Sequence, residues 1–331
     1  MIKHFSKFIP VFICAAVLCS CSKDESESTE TIYNRILSSW IKVNYGSSAQ
    51  KTEEGAYILH RTEGTGTKVG DSSYVFVSYA TKTLAGDYVS TNRKELSQQL
   101  GNFAYNTYYG DAVWRVGQGA IYPGLEEVLK QMRVGGTVEV ALPISATTIT
   151  SSLYDLFSSS GEESNIIFEV TLDGVVEDIY AYQDEQLRAY SERYFNGRDT
   201  TIDGLYLIKT VESPEADSIG ESSSIKVRYI GKLLSNFVFD TNIEDTAKKY
   251  RFYDSDNSYD ALDITFETDW STLASSNDIV YGFANAITNM RYGEEAFVFF
   301  RSDYGYGVSG NSGTVPEYSP LCFHIYIEPE D

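Results

Sequence analysis

One plan is written twice along this 331-residue chain, at an offset of about 150 residues. Gly55-Ala56-Tyr57-Ile58-Leu59 recurs as Gly204-Leu205-Tyr206-Leu207-Ile208, and Val75-Phe76-Val77-Ser78-Tyr79 as Ile225-Lys226-Val227-Arg228-Tyr229. Tyr88-Val89-Ser90-Thr91-Asn92 recurs as Val238-Phe239-Asp240-Thr241-Asn242. Further along, Pro123-Gly124-Leu125 pairs with Tyr281-Gly282-Phe283, and Met132-Arg133-Val134-Gly135-Gly136 with Met290-Arg291-Tyr292-Gly293-Glu294. The order never changes, so this is a duplicated domain, and a fold proposed for one half must also serve the other.

Periodicity supplies the elements of each copy. Ile225, Val227 and Tyr229 alternate with Lys226 and Arg228, as a strand with one buried face requires. Phe283, Ile287 and Met290 fall at i, i+4 and i+7, and so do Leu125, Leu129 and Met132, which predicts one short helix per copy. Gly293 and Gly135 follow, suited to left-handed helix caps. A strand returns over Ala296 to Phe300, and a last one places Leu321, Phe323, Ile325 and Ile327 on one face. The expected class is α+β: two domains, each a twisted, mostly antiparallel sheet wrapped around one short helix. Apolar stripes at Ile32-Tyr33, Ile36-Leu37, Trp40-Ile41 and at Leu187, Tyr190, Tyr194 predict a leading helix for each copy, with a packing role. The divisions are 1–20 signal, 21–30 tether, 31–180 first domain, 181–203 linker helix and 204–331 second domain.

The first residues carry Lys3 and Lys7, then an apolar run from Phe8 to Leu18 too short to span a membrane, which reads as an export signal. Leu18-Cys19-Ser20-Cys21 resembles the bacterial lipobox, which implies lipid on Cys21 and a bilayer as partner; an ordinary cleaved signal is the alternative. Ser22-Lys23-Asp24-Glu25 resembles the surface-export tag of Bacteroidetes lipoproteins, so the expected location is the outer membrane, with its periplasmic and outward faces both open. The acidic, serine-rich stretch to Glu30 cannot bury apolar surface and reads as a disordered tether. Cys322 alone remains beyond the lipobox, so no intrachain disulfide is expected.

Net charge is −21, which argues against nucleic-acid binding, because phosphate recognition needs clustered cations. Three histidines and one remaining thiol argue against a transition-metal site, and no cofactor is expected. Asp254, Asp256 and Asp260 alternate in a loop, but without the central glycine and closing glutamate of a calcium loop; a solvated acidic loop is the preferred reading. The protein is expected to be a monomer.

The last fifty residues separate aromatic and aliphatic groups in a way that suits the lining of a small concave site: Ile279-Val280-Tyr281-Gly282-Phe283, then Asp303-Tyr304-Gly305-Tyr306-Gly307, then Val315-Pro316. With the strand motifs, these residues resemble the FK506-binding-protein (FKBP) type of peptidyl-prolyl cis-trans isomerase, in tandem over about 70–180 and 200–328. The resemblance implies that Tyr229, Asp240 and Tyr306 carry the chemistry. It implies that Phe239, Phe266, Ile279, Val280, Phe283, Val315 and Phe323 bind substrate, with Phe283 where the family has tryptophan. A family arginine that pairs with the aspartate has no equivalent, and 243–265 is longer than the pattern. In the first copy Ser90 stands for Asp240, Val89 for Phe239 and Leu125 for Phe283, and the Tyr-Gly-Tyr-Gly loop gives way to a Ser/Thr-rich stretch from Ser145 to Ser164. Tyr79, Ile121, Tyr122 and Phe168 remain as pocket-type residues. That copy reads as catalytically silent. The implied activity is proline isomerisation in exported polypeptides; a non-catalytic chaperone or binding module is the alternative.

Overall fold

The computed structural model describes residues 27–147, 165–198, 202–213, 218–311 and 313–330. The lipobox cysteine Cys21 and most of the Ser/Thr-rich stretch, from 148 to 164, lie outside the described residues. The first half runs α1 (Thr29–Asn44), β1 (Gln50–Lys51), β2 (Tyr57–Thr62), β3 (Tyr74–Lys82), β4 (Tyr88–Thr91), α2 (Lys94–Leu100), β5 (Ala112–Arg115), α3 (Pro123–Leu129), β6 (Thr137–Leu142) and β7 (Ile166–Val176). The second runs α4 (Ile179–Phe195), β8 (Leu205–Val211), β9 (Ser224–Leu233), β10 (Val238–Thr241), α5 (Glu244–Lys249), β11 (Leu262–Thr265), α6 (Trp270–Asn277), α7 (Tyr281–Thr288), β12 (Glu295–Phe300) and β13 (Leu321–Ile327).

Two antiparallel sheets have one strand order. The first reads β1-β2-β6-β7-β3-β4 with β5 also on β3, and the second, β8-β12-β13-β9-β10 with β11 also on β9, repeats that order from β2 onward. In each, the long strand pairs with the last strand, β3 over its whole length and β9 from Val227 to Leu233, while its other edge is shared by two short strands. Registers coincide: Phe168 opposes Thr81 as Phe323 opposes Gly231. Both short edge strands carry a bulge, and the extra residue is Val89 in one copy and Phe239 in the other.

Alternation makes the inner faces. Ile225, Val227, Phe323, Ile325 and Ile327 close on α7, whose Phe283 and Ile287 are buried with Met290 just beyond the helix. Gly282 lies so close to Phe300 that a Cβ would come within 2.3 Å of the ring. The outer faces are covered by the leading helices. Leu37 and Ile41 of α1 cover Leu59, Ala141 and Ile167; Leu187 and Tyr190 of α4 cover Tyr206, Phe299 and Cys322. Burying roughly 1.5–3 kcal/mol of transfer free energy per large apolar side chain is what holds these helices down. Among the described residues no helix is long and apolar enough to cross a membrane.

Three details differ from expectation. Gly135 and Gly293 do have positive φ, but they are not helix caps; α3 and α7 end before Met132 and Met290. Each glycine turns the chain into the next strand and donates its N–H to the last strand, Gly135 to Leu172 at 2.8 Å and Gly293 to Ile327 at 2.9 Å. The long connection after the bulged strand is common to both copies, each with its own short helix, α2 or α5. Finally, α6 has no counterpart among the described residues of the first half and packs against α7.

Candidate functional site

Three aromatic rings from separate elements meet on the inner face of the second sheet. Phe323 of β13 lies 5.1 Å from Phe283 at the start of α7, edge to face, and Phe283 lies 5.6 Å from Tyr229 of β9. Phe239, turned inward by the bulge in β10, stands 5.7 Å from Phe323 and 6.3 Å from Tyr306. Tyr306 follows a single 3-10 turn, Ser302–Tyr304, and Gly305, which itself lies against Leu321.

These rings floor an open cavity of about 450 Å³. Of the residues expected in a site, Tyr229, Asp240, Ile279, Val280, Phe283, Tyr306 and Phe323 line it. Phe239, Phe266 and Val315 do not; all three are buried in the core behind the wall. Phe239 packs over Gly231 and Phe323, Phe266 is pinned by backbone bonds to Ser222 and Ser223, and the Val315 carbonyl is taken by Asn311. Their side chains pack behind the residues that line the cavity. Leu262, Asp278 and Tyr281 also line the cavity, and of these only Tyr281 lies in a group that the sequence marked as suited to a concave site. Asp278 holds a left-handed conformation that ends α6, and half-exposed Tyr281 stands edge-on to Trp270 at the mouth. An exposed aromatic beside Ile279-Val280 was the one available sequence signal.

Polar groups converge on the same hollow. The Tyr229 hydroxyl donates to Asp240 Oδ2 at 2.7 Å. Burial first, and then the Asp240 carboxylate, push the Tyr229 pKa well above the usual phenol value. Burial likewise raises that of Tyr306, opposed by a hydrogen bond with Asn311 and reinforced by Asp240 and Asp278. Both hydroxyls therefore remain protonated donors at neutral pH. Val280 is the N-cap of α7, and its own N–H has no hydrogen-bond partner among the described residues.

A side-chain latch fixes the strand that carries Asp240. Asn242 accepts from the Tyr229 N–H at 2.9 Å and donates to the Val227 carbonyl at 2.8 Å, while Thr241 donates to the Tyr229 carbonyl at 2.6 Å. Asn92 and Thr91 repeat these bonds on Tyr79 and Val77. The floor differs between copies. In the first, Trp114 stands 5.4 Å from Tyr79, the Tyr79 hydroxyl meets Ser90 rather than a carboxylate, and Val89 points into solvent.

Residues 216–328, which hold every one of these cavity groups, match the family model of the FKBP-type peptidyl-prolyl cis-trans isomerase. The match lies wholly within the second half of the chain. Among characterised proteins, a macrophage infectivity potentiator of Trypanosoma cruzi is 36% identical over 56 residues, 17% of this chain and 29% of that protein. FK506-binding protein 1B of Neurospora crassa is 33% identical over 60 residues, 18% of this chain and 53% of the fungal protein. The chain thus spans about half or less of the length of these relatives. Among solved structures, the three FKBP domains of wheat FKBP73 overlay with a TM-score of 0.29 at 17% identity, covering 84% of this chain and 95% of that one. A peptidyl-prolyl cis-trans isomerase of Pseudomonas syringae pv. tomato overlays with a TM-score of 0.33 at 18% identity, covering 45% of this chain and 91% of that one.

Proposed function

We propose that the FKBP-type domain of the second half catalyses cis-trans isomerisation of X–Pro bonds. The observation that carries this is the meeting of Tyr229, Phe283 and Phe323 beneath one open cavity, with Tyr306 and the Val280 N–H at its edge. Rotation about the X–Pro amide must cross a resonance barrier of roughly 18–20 kcal/mol and takes tens to hundreds of seconds unaided. The twisted amide is less polar than the planar one. An apolar floor that holds the pyrrolidine ring and strips water from the amide therefore favours the twisted form. The Val280 N–H and the Tyr306 hydroxyl donate to carbonyls flanking the proline and hold the peptide turned. Asp240, oriented by Tyr229, lies beside the rotating bond. Lowering the barrier by about 5–7 kcal/mol would accelerate exchange roughly 10⁴–10⁵-fold, with no nucleophile formed.

Exchange spectroscopy on a proline peptide tests the proposal: the full chain should accelerate exchange, and Asp240→Ala or Tyr306→Phe should remove most of the effect. No acceleration by the wild-type chain would end it. The competing reading is a binding module without turnover, favoured by the smaller phenylalanine floor at Phe283 and the absence of any cation among the cavity-lining residues. It requires peptide binding that survives both substitutions.

We further propose that the first half is a second FKBP-like copy without turnover. On the strength of the Leu18-Cys19-Ser20-Cys21 motif, we propose that the chain is lipid-anchored at Cys21 to the outer membrane and serves exported polypeptides as a monomer. Metabolic labelling with a radioactive fatty acid should mark the wild type and not Cys21→Ala; equal labelling of both would contradict the anchor.

A further inference from the structure

The loop that carries Tyr306 leaves β12 after Phe300 and rejoins the sheet at Leu321, with Ser302 near its start and Tyr318 near its end. Its two ends are held together by one side chain from outside the family-matching segment 216–328. Gln183, on α4, is fully buried. Its Nε2 donates to Ser302 Oγ at 3.0 Å and to the Tyr318 carbonyl at 2.8 Å, and its Oε1 accepts from the Ser302 N–H at 2.8 Å. Both amide hydrogens and the carbonyl oxygen of this side chain are thereby used inside the protein.

The bonds close a ring on the backbone next to Tyr306. The Gly307 N–H donates to the Ser302 carbonyl at 2.8 Å, and the Tyr318 N–H donates to the Gly307 carbonyl at 2.8 Å. The residue after Tyr306 is therefore gripped from both sides by the two residues that Gln183 joins. The clamp is itself seated firmly. Asp184, the next residue of α4, pairs with Arg301 Nη1 at 3.3 Å, and Tyr74 of the first half stands edge-on to Tyr318 with ring centroids 5.0 Å apart.

We propose that Gln183 is a positioning residue for Tyr306, so that the isomerase site is completed by the helix linking the two copies. This rests on the isomerase reading of the cavity given above. A buried glutamine that only anchored α4 would need bonds to the sheet that α4 covers; instead all three of its bonds go to the two ends of the Tyr306 loop. When these bonds are lost, the loop ends separate, Gly307 loses its fixed neighbours, and the Tyr306 hydroxyl no longer meets the substrate carbonyl at one distance.

The test is a double-mutant cycle in the full chain. Gln183→Met keeps the side-chain length and removes every bond; it should lower kcat/KM for a proline peptide by about tenfold, chiefly through kcat. In a Tyr306→Phe background the same change should alter kcat/KM by less than about twofold, because the group being positioned is already gone. Equal losses in both backgrounds would overturn the proposal. Amide hydrogen exchange gives a readout independent of turnover: Gly307 and Tyr318 should exchange faster in Gln183→Met while β9 amides stay protected, and unchanged protection at Gly307 would overturn it too. If Gln183→Met does not fold, Ser302→Ala, which removes one acceptor, is carried through the same two measurements under the same criteria. A wild-type chain without isomerase activity would refute the proposed function, and the amide exchange would then decide the clamp alone.

Discussion

A Cβ on Gly231 would lie 2.8 Å from Cζ of Phe239, so the bulged phenylalanine occupies the space that any other residue at 231 would fill. The first copy shows the alternative solution. Thr81 takes the place of Gly231 and is buried, with its hydroxyl unpartnered, while Val89 takes the place of Phe239 and points outward. One small-for-large exchange therefore decides which copy owns this wall of the cavity.

Gly231→Thr should expel Phe239 and spoil the hollow while leaving the sheet intact. The expected result is a loss of kcat/KM of at least about tenfold with an unchanged far-ultraviolet spectrum. Phe239→Ala should instead act on stability, costing about 3 kcal/mol in denaturant unfolding, because its ring is nearly fully buried.

The Tyr229–Asp240 pair fixes the pH response. Because burial and the neighbouring carboxylate raise the Tyr229 pKa, the hydroxyl keeps its proton above the usual phenol value of about 10. The kcat/KM profile should be flat from about pH 7 to 10, and a falling limb near pH 9 would mean that a different group titrates. Tyr229→Phe should lower kcat/KM by a few-fold and change stability by less than about 1 kcal/mol, since Asp240 remains exposed to water.

Burial raises the pKa of Glu317, in the loop that carries Tyr306. An acid with a raised folded-state pKa holds its proton more tightly when folded. Stability is then highest below the ordinary carboxylate pKa, falls as pH rises through the folded-state value, and levels off above it. Glu317→Gln should accordingly melt above the wild type near pH 7, and the gap should close near pH 4. A constant gap at both values would assign the effect to something other than ionisation.

Asn242 and Asn92 should be equally costly to replace. Each takes a backbone N–H and gives to a backbone carbonyl inside its sheet. Substituting either by leucine strands those groups and should cost about 2–3 kcal/mol in its own half. A small effect at Asn92 alone would mean the first copy tolerates a looser edge strand.

Much of this was legible in the chain. The repeat at constant order and the two-residue alternation of Ile225, Val227 and Tyr229 carried the sheet, because pleat periodicity survives duplication. Thr241-Asn242 stood out as a repeated pair, yet its hydrogen bonds are long-range and leave no local pattern. Met290 fits the helical stripe of Phe283 and Ile287, which drew the helix past its true end at Thr288. The short α6 has few apolar residues, so no periodicity announced it. Spacing placed Phe239, Phe266 and Val315 on the wall but could not say which side of it they face. Gln183 was invisible for a different reason: a polar residue on an amphipathic helix reads as solvated until the two ends of a loop more than a hundred residues away are seen to meet on it.

The most direct test compares matching substitutions in the two copies of the full chain, with cis-trans exchange of a proline peptide as the readout. Ser90→Ala should leave the catalysed rate at the wild-type value, and Asp240→Ala should bring it close to the uncatalysed rate. Equal rates in the two variants, whether both high or both low, would contradict an isomerase site confined to the hollow beneath Tyr306.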